Sequence, residues 1–147
     1  MTIAVAGATG LIGRHVVEAL AGPGAEPVVA TYRSRPPFAA EGLRWGQCDF
    51  NDRSQASRAF AGCETVVLCA GRVSTSAVLR DEPVESVLDN LRIVTNAIEA
   101  AARGETRRVV LISSCTGYPP ATELLDEERY ETGDPPGHWF GVGWMHR

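Results

Sequence analysis

The 147-residue chain is long enough for one domain with a real core, and its 44% apolar and 22% charged residues are ordinary for a globular protein. A formal net charge of -4, with no arginine stripe, argues against a nucleic-acid surface. The apolar runs are strand-length, far short of the ~20 residues of a membrane span. No basic-then-apolar leader opens the chain, so a cytoplasmic protein with no membrane partner is expected.

Residues 2–6 (Thr-Ile-Ala-Val-Ala) form a short apolar run ending at Gly7, the pattern of a buried parallel strand. Leu11, Ile12, Val16, Val17 and Leu20 then recur at helical spacing until Gly22-Pro23-Gly24 stops them. A second strand is predicted over 27–31 and a third over 43–48, the latter interrupted by Arg44 and Gly46. A short helix over 53–60 and a fourth strand over 64–69 follow. A long helix is predicted over 83–102, with Val84, Val87, Leu88, Leu91, Val94, Thr95 and Ile98 on its apolar face. A fifth strand spans 107–113, and the Pro-, Gly- and acid-rich stretch 116–138 reads as a long loop before a helical start at Phe140.

Strands alternating with helices predict an α/β class: a doubly wound parallel sheet of the Rossmann type, five strands in the order 3-2-1-4-5, forming one domain. Such a sheet binds ligands at the carboxyl ends of strands 1 and 4, where the strand order reverses.

Residues 7–13 occupy that position and read Gly-Ala-Thr-Gly-Leu-Ile-Gly. Gly7 allows the tight turn out of strand 1. Gly10 lets backbone approach a pyrophosphate, and Gly13 lets the helix pack closely. The helix start offers free N–H groups and partial positive charge to phosphate, so Gly7, Thr9, Gly10, Leu11, Ile12 and Gly13 are candidate cofactor contacts. A carboxylate at the end of strand 2 would read the adenosine ribose and favour NAD. Here strand 2 runs into Thr31-Tyr32-Arg33-Ser34-Arg35, so Arg33 or Arg35 is expected to pair with a 2'-phosphate, favouring NADP with NAD as the alternative.

Cys48, Cys63, Cys69 and Cys115 form no C-x-x-C pair and have no His at metal spacing, so no metal site is expected. The 14 basic side chains are all Arg. A Walker-type phosphate loop and Schiff-base chemistry on Lys both need a residue the sequence does not contain.

These motifs resemble, in order, the first half of extended short-chain dehydrogenase/reductases, the NAD-dependent epimerases and dehydratases that act on nucleotide sugars. Gly7–Gly13 is similar to the family's cofactor loop. Asp49-Phe50-Asn51-Asp52 resembles its adenine-flanking segment, Cys69-Ala70-Gly71 the end of strand 4 along the cofactor, and Asn90 the Asn of the long helix. Ser113-Ser114-Cys115-Thr116-Gly117-Tyr118 resembles the Ser-Ser-x-x-x-Tyr segment after strand 5, and is most similar to GDP-fucose synthase-like members. The resemblance implies a substrate-orienting serine, with spacing to Tyr118 favouring Ser114 and the Ser-Ser-Cys triplet favouring Ser113. It implies acid/base work for Cys115, against the plainer reading of a packing cysteine.

The resemblance breaks at the proton-transfer pair. The family places Tyr-x-x-x-Lys on the helix after the long loop, where Lys promotes proton exchange by Tyr. Here the stretch is Trp139-Phe-Gly-Val-Gly-Trp-Met-His-Arg147. One register puts Val142 and His146 at the pair, the other Phe140 and Trp144, and neither supplies the hydroxyl. His146 near the ribose is set against a plain surface residue.

Family members also continue into further strands and a substrate lobe. Three expectations follow. The first is an NAD(P)-binding part of an oxidoreductase for nucleotide sugars or similar polar carbonyl compounds, completed by a partner chain or acting as a homodimer. The second is a non-catalytic NADP sensor, and the third an inactive truncated fragment with an exposed sheet edge.

Overall fold

The computed structural model describes residues 2–147 apart from Pro36 and Ser74. In chain order its elements are β1 (Ile3–Ala6), α1 (Leu11–Leu20), β2 (Val28–Tyr32), β3 (Leu43–Gln47), α2 (Arg53–Ala56), β4 (Thr65–Leu68), α3 (Ser76–Asp81), α4 (Pro83–Arg103), β5 (Arg108–Leu111) and α5 (Phe140–His146). Short 3-10 turns occupy Cys115–Gly117, Glu127–Glu131 and Gly137–Trp139. The chain divides into two compact units, residues 1–71 with 92–112 and residues 72–91 with 113–147.

The first unit holds a five-stranded parallel sheet in the order β3-β2-β1-β4-β5, as the alternation of elements predicts. Ile3 is in register with Val28 on one side and Thr65 on the other. Alternate side chains of a strand point to opposite faces, and the core follows that rule. Ala4, Ala6, Val66 and Leu68 pack on one face with Phe50, Phe60, Cys63 and α4 residues Ile93, Ala97 and Ala101. Val5, Val28 and Ala30 pack on the other with Val17 of α1. β5 closes the sheet as an edge strand, and Val109, Val110 and Leu111 are all exposed there.

The predicted face of the long helix is corrected by the structure. Of the predicted residues Val94 packs on the core, but Val84, Leu88, Leu91 and Ile98 are exposed, whereas Ser86, Ile93, Ala97, Ala100 and Ala101 are buried. Three of those five are alanines. Small side chains let a helix axis come close to a sheet, and close approach here outweighs the larger apolar area on the opposite stripe.

α2 stops at Ala56, shorter than the predicted 53–60. Its start is well fixed: the Asp52 carboxylate accepts from the amides of Ser54 and Gln55, a standard N-cap. The second unit contains a helix that periodicity does not reveal, α3, whose N-cap Thr75 accepts from the amide of Val78. The 116–138 stretch is a loop punctuated by 3-10 turns. Among the described residues, no helix is long and apolar enough to cross a membrane.

Candidate functional site

In the first unit the β1–α1 loop is defined by backbone sterics. Gly7 has φ +75°, a left-handed conformation that side chains rarely adopt, and a Cβ there would lie 2.7 Å from Ala70 Cα. A Cβ on Gly13 would fall 2.2 Å from the Gly7 carbonyl oxygen. Gly10 is less confined, its added Cβ meeting the Gly7 oxygen at 3.2 Å. The loop is tied to β2 by Gly7 N donating to Thr31 Oγ1 (3.3 Å) and Ala8 N donating to the Thr31 carbonyl (2.7 Å).

The first α-helical bond of α1 runs from Arg14 N to the Gly10 carbonyl at 2.9 Å. The amides of Leu11, Ile12 and Gly13 precede it and sit at the positive end of the helix dipole. Among the described residues, no side chain caps that end, and no acidic residue lies in its first turn to offset the positive potential. Leu11 and Ile12 are exposed there at 79% and 49%, a large apolar exposure for the start of a helix.

Of the two candidate arginines, Arg35 reaches the loop: its Nη1 donates to the Thr9 carbonyl at 3.3 Å. Arg33 is exposed, and its own carbonyl accepts from Gln47 Nε2.

The Asp49–Asp52 segment is a tight turn in which Asp49 Oδ1 accepts from the backbone and side-chain amides of Asn51. Phe50 is buried, stacked on Phe60, and its carbonyl accepts from Asn96 Nδ2 at 2.7 Å. Asn51 Oδ1 is buried and finds no hydrogen-bond partner among the described residues. At the end of β4, Cys69 N donates to the Ala6 carbonyl, and burial pushes the Cys69 thiol above its ordinary pKa. Ala70 abuts Gly7, and Gly71 is exposed.

In the second unit Asn90 is fully engaged by backbone. Its Nδ2 donates to the Arg72 and Ser86 carbonyls, and its Oδ1 accepts from Arg72 N at 2.8 Å. Beside it Arg72 and Asp89 form an ion pair of 2.5 Å.

The two candidate serines differ in their partners. Ser114 Oγ caps the following 3-10 turn, accepting from Thr116 N at 3.3 Å and Thr116 Oγ1 at 3.0 Å. Ser113 is exposed, and its Oγ lies 3.1 Å from Tyr130 Oη and 3.4 Å from the His146 carbonyl. Cys115 is an exposed free thiol on the wall of an open cavity of about 500 Å³, shared with Thr116, Tyr118, Leu125, Pro136 and Trp139. Among the described residues, no three His, Cys, Asp or Glu gather as a metal site.

α5 carries neither member of a Tyr-x-x-x-Lys pair in either register. Burial lowers the His146 pKa, which makes the ring neutral at pH 7 and unsuited to stand in for a lysine cation. The phenol near the serine is Tyr130, from the loop, and sequence reasoning missed it. Tyr130 sits in an irregular acidic stretch with no periodicity. The glycine that accommodates it, Gly117, is a signal only once the loop is folded: a Cβ there would lie 2.3 Å from Tyr130 Oη.

Residues 3–139 match the family model described as the NAD dependent epimerase/dehydratase family. Among curated proteins the chain is similar to a dTDP-4-dehydro-6-deoxy-D-allose reductase from Streptomyces sp, at 32% identity over 137 residues, 86% of this chain and 42% of that protein. It is also similar to a protein named putative GDP-L-fucose synthase 2 from Oryza sativa subsp. japonica, at 28% identity over 94% of this chain and 38% of the relative. Among solved structures it resembles a mutant of uronate dehydrogenase from Agrobacterium tumefaciens complexed with NAD, at 32% identity and a TM-score of 0.69, covering 84% of this chain and 45% of that one. The chain thus spans less than half the length of each of these three proteins. With the strand order, the glycine spacing and the family match in agreement, the chain belongs to the NAD dependent epimerase/dehydratase family.

Proposed function

We propose that the chain binds a nicotinamide dinucleotide at the β1–α1 loop, as the cofactor-binding part of an oxidoreductase for nucleotide sugars or similar polar carbonyl compounds. The observation that carries this reading is the uncapped start of α1: three amides precede its first helical bond beside Gly10, with no acidic residue in the first turn. The residues fit the group. A phosphate needs the space a Cβ on Gly10 would fill, and Asn51 Oδ1 is an orphaned buried acceptor in the segment assigned to adenine. When bound, the cofactor would supply hydride transfer.

The chain's residues divide the remaining work. The amides of Leu11, Ile12 and Gly13 hold the pyrophosphate. Arg35, already against Thr9, pairs with a 2'-phosphate and favours NADP, with Arg33 in support. Asp49 and Phe50 flank adenine, and Cys69, Ala70 and Gly71 shape the rest of the cofactor's surroundings. A serine of the Ser113-Ser114 pair meets the substrate oxygen, with Cys115 beside it. The sugar substrates in the names of the relatives motivate this substrate class.

The absence of Tyr and Lys from α5 favours a second reading, a sensor that binds cofactor without turnover. The exposed Val84, Leu88, Leu91 and Ile98 on α4 favour self-association, with a homodimer as the functional form. Leu91→Asp should then reduce the sedimenting mass to that of one chain. An unchanged mass would remove the dimer.

The deciding experiment is calorimetric titration with NADPH and NADH, with Gly10→Val as control. Binding that the variant abolishes, NADPH tighter than NADH, supports the reading. A folded chain that binds neither overturns it.

A further inference from the structure

We propose that Tyr130 is the positioning residue for Ser113, and that Ser113, held by it, is the serine that receives a ligand hydroxyl. This rests on the proposed oxidoreductase reading for the ligand, but on geometry alone for the pair.

Counting donors and acceptors separates the two serines. Both lone pairs of Ser114 Oγ are taken by the Thr116 amide and hydroxyl, so this serine keeps its proton but has no acceptor left for a ligand hydroxyl. Ser113 Oγ is exposed and has Tyr130 Oη as its nearest partner, at 3.1 Å. Tyr130 Oη lies closer still to the His146 carbonyl, at 2.9 Å. A carbonyl only accepts, so the phenol donates to it, and the Ser113 hydroxyl donates to the phenol oxygen or, at 3.4 Å, to the same carbonyl. Both arrangements engage the Ser113 proton within the chain. Each leaves Ser113 Oγ a lone pair for a ligand. The group presented to a ligand is therefore an acceptor, suited to the hydroxyl of a sugar or sugar acid in its alcohol form. Donating to a carbonyl oxygen would cost Ser113 the bond its proton makes to Tyr130 or to the His146 carbonyl.

The phenol is built into place. The backbone of Gly117 lies against it so closely that any Cβ would collide at 2.3 Å. The Tyr118 ring meets it edge-on at a centroid separation of 4.8 Å. The Arg147 guanidinium sits 5.8 Å over its ring and is anchored through Nε to the Gly117 carbonyl at 2.7 Å. A hydroxyl on so constrained a ring fixes whatever bonds to it.

The test compares the full chain with Tyr130→Phe, Ser113→Ala and Ser114→Ala. Tyrosine carrying 13C at Cζ gives a resonance for each of the three tyrosines, and Tyr130→Phe identifies the one that matters. The proposal expects Ser113→Ala to shift the Tyr130 resonance and Ser114→Ala to leave it. The reverse pattern, or no shift in either, overturns the pairing without any turnover assay. With the chain saturated with NADP and D-glucuronate titrated as probe, Tyr130→Phe and Ser113→Ala should each weaken D-glucuronate binding about tenfold, with the double variant no worse than either and NADP binding unchanged. Losses that multiply in the double variant overturn the positioning role, since Tyr130 would then act apart from Ser113. Wild-type chain that binds no dinucleotide refutes the cofactor reading and leaves the pairing to stand or fall on the resonance.

Discussion

Replacing Gly13 with Ala separates the architectural glycine from the ligand-facing one. Gly13 lies in α1, where Ala is intrinsically better than Gly by about 0.8–1 kcal/mol. Propensity alone therefore predicts a more stable protein. The geometry predicts the opposite. The new Cβ would lie 2.2 Å from the Gly7 oxygen, 2.8 Å from its carbon and 2.9 Å from Ala8 Cα. All three are backbone atoms in a loop held to Thr31 by two hydrogen bonds, so no side chain can swing aside. Restoring ordinary contact means moving α1 by more than about 1 Å or breaking those bonds. Overpacking costs roughly 1–3 kcal/mol, and each lost bond about 1 kcal/mol. Net of propensity, a destabilisation of about 2 kcal/mol follows, or roughly 4–8 °C in Tm for a chain of this size. Gly10→Ala, whose Cβ meets one atom at 3.2 Å, should change stability by less than about 0.5 kcal/mol yet weaken dinucleotide binding. Thermal unfolding followed by circular dichroism, paired with calorimetry, reads both. A Gly13→Ala protein as stable as wild type, or more so, would refute the steric argument.

Three further outcomes are expected. Hydrogen bonds from Ser54 and Gln55 hold the Asp52 carboxyl down at about 2, against an ordinary 3.8, so its contribution is complete above pH 4 and lost as pH falls toward 2. Urea unfolding should therefore show wild type losing stability relative to Asp52→Asn across that window, and parallel curves would contradict the cap. Cys48 and Cys63 are buried and Cys69 half-buried, burial raising all three thiols and Cys48 to about 11, so at pH 8 a thiol reagent should label one site quickly. Cys115→Ser should remove that fast phase, and a surviving fast phase would place reactivity elsewhere. Arg35→Ala should weaken NADPH about tenfold or more and NADH little, whereas equal losses would deny it a role at the 2'-phosphate.

The parts legible in the sequence are those set by neighbouring backbone. Gly7, Gly10 and Gly13 are readable because turn, approach and packing are all decided within seven residues, and the parallel sheet because four of its strands announce themselves as apolar runs, β3 alone being interrupted by Arg44 and Gly46. The face of α4 was not readable this way. Its larger apolar stripe is the exposed one, since the sheet selects Ala97, Ala100 and Ala101 for closeness, a preference that appears only when helix and sheet meet. Tyr130 was invisible for a similar reason. Nothing in Glu128-Arg-Tyr-Glu131 marks it, and its role depends on partners 13 and 17 positions away, at Gly117 and Ser113.

That division bears on how binding and chemistry come apart in this chain. In the proposed function, holding a dinucleotide draws on backbone amides and glycine sterics within residues 7–14, with Thr31 and Arg35 in support, all inside one compact unit. Moving a proton draws on side-chain hydroxyls and cations, which in the family resemblance belong to a helix represented here by Phe140–His146. The loop's bonds run to Thr31 and Arg35, within its own unit. An intact glycine loop therefore says nothing about turnover, and the missing Tyr and Lys say nothing against binding. The two properties need separate measurement, and only the second depends on whether Ser113 and Tyr130 meet a substrate.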